Sequence, residues 1–189
     1  MTHVSRALLL VATIASGSAA QPPSRGAPGT AVKIAVVEFT PAADAAGMTP
    51  NAKRWLQAQL SATLHDTRRF DVYDTRHTRN ASQGTLSAVN HDSSTAAAVA
   101  VGRRLGVRYV LTGAVTQYAA QGDGGVGHTT LRTRLVDVAT GRVHHSGETV
   151  QKGTGVMRTA GEAEMHAKVM KPAIDALTAT LLTTLPAPP

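Results

Sequence analysis

The chain contains no cysteine. That absence excludes disulfide bonds, thiol chemistry, and a lipid carried on a cysteine of this sequence, so ordinary packing must hold the fold. Carboxylates are also few, 12 Asp and Glu against 19 Lys and Arg. No apolar run approaches the roughly 20 residues that a membrane-spanning helix requires. The longest is Ala7 to Ala15, interrupted only by Thr13.

That short run follows the basic start Met1 to Arg6 and leads into the small residues Gly17 to Ala20. A basic segment, a short apolar stretch and a small-x-small end are the parts of a secretory signal peptide. Residues 1–20 therefore read as a signal, with Ser18 and Ala20 at the small-residue positions and a mature chain starting at Gln21. Export places the protein in the periplasm, without a lipid anchor, and leaves open a position peripheral to the outer membrane. The formal charge of +7 falls only to +6 without Arg6. Anionic partners are thus favoured, and weak contact with envelope polymers or lipid headgroups is expected rather than nucleic acid. The basic side chains occur as pairs, Arg68 with Arg69, Arg103 with Arg104, and Arg132 with Arg134, which reads as solvated surface.

Gln21 to Thr30 has too little apolar surface to repay ordering and reads as a flexible leader; Pro186 to Pro189 reads as a disordered tail. Between them, residues 31–185 suit one compact domain. Val32 to Phe39 is an apolar, β-branched run expected to form a buried strand. Thr49 before Pro50 is an N-cap followed by a proline suited to the first helical turn. Ala52, Trp55, Leu56, Leu60 and Leu64 then make one apolar stripe. A short strand is expected at Arg69 to Asp74, while the polar stretch Thr75 to Asn90 shows no clear period. A second helix capped by Asp92 or Ser93 should stop at Gly106. Val107 to Tyr118 reads as a strand in which Gly113 signals a bulge or a close backbone approach. The arms Thr129 to Val138 and Arg142 to Gln151 flank a glycine turn and form a hairpin. A final helix starts near Gly161, with Pro172 as a kink or restart and Ile174, Leu177, Leu181 and Leu185 as its stripe. The expected fold is α/β, a mixed sheet covered by helices.

No catalytic set emerges. Gly122, Gly124, Gly125 and Gly127 lie between two strands, whereas a phosphate-cradling loop joins a strand to a helix, so the segment reads as a hairpin tip. His65, His77, His91, His128 and His166 are scattered, and adjacent His144 and His145 on a regular strand point to opposite faces. No metal-ligand spacing results. Asp44, Asp71, Asp74, Asp137, Glu148, Glu162 and Glu164 sit on separate elements, with Asp137 serving the hairpin end. No catalytic, cofactor-binding or metal-binding residue is assigned, and the chain is not expected to be an enzyme.

Four segments, "VKIAVVEF", "RFDVYDTR", "STAAAVAVGRRLGVRYVLTGAVTQY" and "LRTRLVDVATGRVHHSGE", resemble the CsgG-like family of envelope proteins over Val32 to Leu185. The most specific matches are Leu105 to Gly113 and the Val-Asp-Xaa-Xaa-Thr-Gly hairpin within Leu135 to Gly141. The resemblance implies an α/β periplasmic domain that assists envelope assembly or secretion, as in curli production, by binding envelope proteins or copies of itself. A relative of the family, LpoB, implies the alternative of regulating a cell-wall synthase. A metal-binding protein or hydrolase using histidines gathered by the fold is the rival from another class. The sequence departs from the family in lacking the lipidated cysteine and long barrel-forming hairpins; Arg132 and Arg134 share one face of the hairpin present.

Overall fold

The structure is a computed structural model that describes residues 31–83, 95–121, 123–159 and 161–185. The expected signal, leader and tail, and the Asp92 or Ser93 cap, lie outside the described residues. The described chain forms an α/β fold with one mixed six-stranded sheet. Strand β1 (Val32–Val36) lies between β3 (Phe70–Val72) and β4 (Tyr109–Ala119), parallel to both. From β4 the sheet continues antiparallel through β5 (Val126–Asp137) to β6 (Val143–Val156). A two-residue strand, β2 (Thr40–Pro41), pairs with β4 off this path.

Helix α1 (Pro50–Asp66) forms where Thr49 and Pro50 predict it: the Thr49 hydroxyl oxygen accepts the amide of Ala52 at 3.1 Å. Leu56, Leu60 and Leu64 pack against one sheet face together with Ile174, Leu177 and Leu181 of α5 (Lys171–Thr184). The opposite face is covered by α2 (Thr75–Ser82) and α3 (Thr95–Leu105), whose Ala81, Ala97, Ala98 and Val101 meet Ala35, Val110 and Val136. Gly106 ends α3 with φ 65° and Gly141 turns the hairpin with φ 69°, the left-handed conformations expected of both.

Three local readings change. The first strand stops at Val36 instead of Phe39, because the Phe39 ring folds over Gly113: a Cβ there would stand 2.6 Å from Phe39 and from the Arg132 carbonyl. Gly113 thus serves a close approach, and the register shift of β4 falls between Val115 and Gln117. The unperiodic stretch after Asp74 contains α2, capped by the Asp74 carboxylate on the His77 amide at 2.8 Å. Before α5, the short helix α4 (Glu162–Met165) passes into a π turn at His166–Met170, so the irregularity precedes Pro172.

Candidate interaction surface

Strand β6 ends the sheet, and among the described residues its outer edge pairs with nothing. Fourteen residues at about 3.3 Å each make an edge roughly 45 Å long. An unpaired edge of that length is a template for strand addition by another chain. Val150 and Val156 stand on β6 with exposures of 64% and 62%, large for apolar side chains. Two side chains guard parts of the edge: Lys168 Nζ donates to the Val156 carbonyl at 2.8 Å, and Gln151 Nε2 to the Lys152 carbonyl at 2.6 Å.

The sheet face behind this edge is only half covered. Helices α2 and α3 pack over β1 and the neighbouring halves of β4 and β5, leaving a shallow depression lined by Thr116, Gln117, Thr130, Arg132, Glu148 and Val150, with Asp44 at its rim. Arg132 and Glu148 are register partners, and both Nε and Nη2 of Arg132 donate to Glu148 Oε1, at 2.9 and 2.8 Å. This exposed pair orders the face without neutral burial and contributes little stability, as surface pairs do. A flat, ion-paired, partly apolar face beside a bare edge is chemically suited to docking.

The histidines are placed differently from a regular strand. The β5–β6 register shifts between Leu135 and Val136, where Val136 faces Val143 and Leu135 faces His145, leaving His144 as the extra residue. The bulge turns both rings to the α1–α5 face, correcting the expectation of opposite faces. His144 lies edge-on to the Tyr109 ring with Nε2 3.8 Å from Asp137, and His145 Nε2 lies 3.0 Å from the Thr133 hydroxyl. Burial lowers the pKa of His145. Among the described residues no three His, Asp or Glu side chains are grouped so as to hold a metal ion. His65 is exposed, His77 is at the start of α2 on Asp74, His128 is on β5, and His166 is stacked on Trp55. His91 and Gly122 lie outside the described residues.

The carboxylates stay dispersed. Asp137 holds the hairpin, accepting the amides of Ala139 and Thr140 at 2.9 Å each. Burial alone would raise its pKa; the hydrogen bonds at Thr140 and Ala139 and the nearby Arg108 charge bring it below the ordinary value. Glu164 accepts the Arg158 and Thr159 amides and Lys168 Nζ, which hold its pKa at about 2. Among the described residues no helix is long and apolar enough to cross a membrane.

No protein-family model and no curated protein matches the chain. Solved structures do. The protein CT253 from Chlamydia trachomatis aligns with TM-score 0.56 at 11% identity, over 81% of this chain and 94% of that one. A point variant of the PelC dodecamer from Paraburkholderia phytofirmans aligns with TM-score 0.51 at 23% identity, over 83% and 89%. The lipoprotein GNA1162 from Neisseria meningitidis aligns with TM-score 0.51 at 16% identity, over 80% and 99%. These likenesses establish a shared fold and span nearly the whole of each matched chain.

Proposed function

We propose that this chain is a non-catalytic envelope protein that acts by docking on other macromolecules, first of all on copies of itself, through the β6 edge and the open face beside it. The fourteen-residue edge, unpaired with any strand among the described residues, and its exposed valines carry the reading. The PelC structure, similar in fold, is that of a dodecamer, and the GNA1162 protein is a lipoprotein. Self-docking of this chain and an envelope location agree with those neighbours and with the secretory pattern of residues 1–20. A periplasmic accessory role in assembly or secretion rests on the CsgG-like resemblance of the four quoted segments.

Sedimentation velocity of the purified protein from 1 to about 100 µM tests the reading, in the range where weak standard-size interfaces associate. The expected result is a defined assembly larger than one chain. Lysines on an exposed edge oppose pairing, so Val150→Lys combined with Val156→Lys should return it to monomers with unchanged circular dichroism. A wild-type protein that stays monomeric throughout overturns self-docking.

A further inference from the structure

The chain departs from β1 toward both sides of that strand. It reaches β3 through α1 on one face of the sheet, then crosses to β4 on the other side of β1 through α2 and α3 on the opposite face. In open parallel sheets the divergence of neighbouring crossovers leaves a crevice outside the carboxyl ends of the strands, where ligands bind. Here a cavity of about 240 Å³ lies at that place, and Val37, Phe39, Thr40 and Gly113 form its backbone-rich wall. Its volume suits a small molecule rather than a drug-sized one.

The polar groups of the cavity are unusual in having donors to spare. Thr112 is 3% exposed and lines the cavity, yet its hydroxyl makes no hydrogen bond within the described residues. Arg79, half-buried on α2, lines the same cavity with a guanidinium that has no protein acceptor among those residues. Lys53 Nζ stands 3.9 Å from Glu38 Oε1, an ion pair too long for a hydrogen bond, so its ammonium donors are also unused. Glu38 offsets one of the two cations and leaves an excess of one positive charge. A planar guanidinium fork, an ammonium and a hydroxyl free of protein partners among the described residues are together complementary to the oxygens of an anion.

We propose that this crevice binds a small ligand through an oxyanion group, a carboxylate or a phosphate, held by Arg79 and Lys53 with the Thr112 hydroxyl donating to it. No residue of β6 lines the crevice, so its occupancy is tested separately from the self-association of the chain.

Amide NMR titrations of the purified protein with sodium phosphate, sodium succinate and, as a control, sodium chloride at matched ionic strength test the proposal. Saturable shifts at Thr112, Gly113 and Ser82 with phosphate, succinate or both, but not chloride, are expected; which anion acts identifies the oxyanion class. Arg79→Gln should weaken binding about tenfold or more, the usual loss for a hydrogen bond to a charged group, and the near-isosteric Thr112→Val should weaken it several-fold. The spectra of the variants themselves report that they are folded. Absence of saturable shifts with both anions, equal shifts with chloride, or unchanged affinity in folded Arg79→Gln overturns the proposal.

Discussion

The indole of Trp55 lies flat on the imidazole of His166, with ring centroids 3.8 Å apart and planes 3° from parallel. Trp55 belongs to the second turn of α1, and His166 opens the π turn between α4 and α5. A second contact joins the same elements, since the Thr49 hydroxyl that caps α1 also donates to Glu162. His166 Nε2 is buried without a hydrogen-bond partner among the described residues. Burial lowers the His166 pKa, with the Glu162 charge opposing, so the stacked ring is neutral at pH 7 and takes up a proton only below the ordinary histidine range.

Trp55 is the sole tryptophan, which makes the stack directly observable. An imidazolium in contact with an excited indole quenches it by accepting an electron, whereas neutral imidazole does so weakly. Trp55 emission is therefore expected to fall on acidification with a midpoint below the ordinary histidine value of 6.5, and His166→Gln should abolish the transition. A midpoint at or above 6.5 in the folded protein would show that burial does not govern the protonation of this ring.

Stability should decline in two stages as pH falls. His145 and His166 both have folded pKa values below 6.5, so the unfolded chain takes up protons more readily. Their contribution is complete above 6.5 and is lost as pH drops from there toward the folded values. Glu164 follows the same sign at lower pH: its contribution is present above 4.5 and is lost as pH falls toward about 2. Urea midpoints should be lower at pH 5.5 than at 7.5, and the difference should shrink in His145→Gln with His166→Gln. Equal midpoints in the wild type would show that neither ring is protected.

Much of the scaffold is legible because local signals and long-range packing agree. Thr49 and Pro50 start α1 as their chemistry requires, and Asp137 with Gly141 closes the β5–β6 hairpin. Helix α2 escapes the apolar pattern because its buried positions are Thr78, Ala81 and Ser82, small or polar residues that write no stripe. Its one readable mark is Asp74, an N-cap residue whose carboxylate does accept the His77 amide. The bare edge and the crevice are illegible for a different reason. That β6 ends the sheet, and that Arg79 and Thr112, 33 positions apart, line one cavity, follow from strand order and crossovers rather than from any local run.

Gly113 offers a sharp test of the wall shared by the core and the crevice. Alanine there would place a methyl group 2.6 Å from the Arg132 carbonyl and from the buried Phe39 ring, and neither a ladder carbonyl nor a buried ring moves freely. Overpacking of this kind costs about 1–3 kcal/mol. Urea unfolding of Gly113→Ala should show a loss in that range, and a variant as stable as the wild type would mean that Phe39 leaves its place at no cost.

Arg69 ties the end of α5 to the sheet. Its Nη1 donates to the Leu182 carbonyl and its Nη2 to the Leu185 carbonyl, both at 2.7 Å, at the terminus of α5 where helix carbonyls lack amide partners. The adjacent Arg69 carbonyl accepts the Val32 amide at 3.0 Å, so the same residue registers β1. Losing a charged donor from such bonds costs about 1.5–3 kcal/mol, reduced here because the side chain is partly exposed. Arg69→Ala should therefore lower the thermal midpoint and speed hydrogen exchange in the last turn of α5. Arg69→Lys should recover only part of the loss, because one ammonium cannot reproduce the two-pronged geometry of the guanidinium. Full recovery with lysine would show that charge at the helix terminus, rather than the paired hydrogen bonds, secures α5.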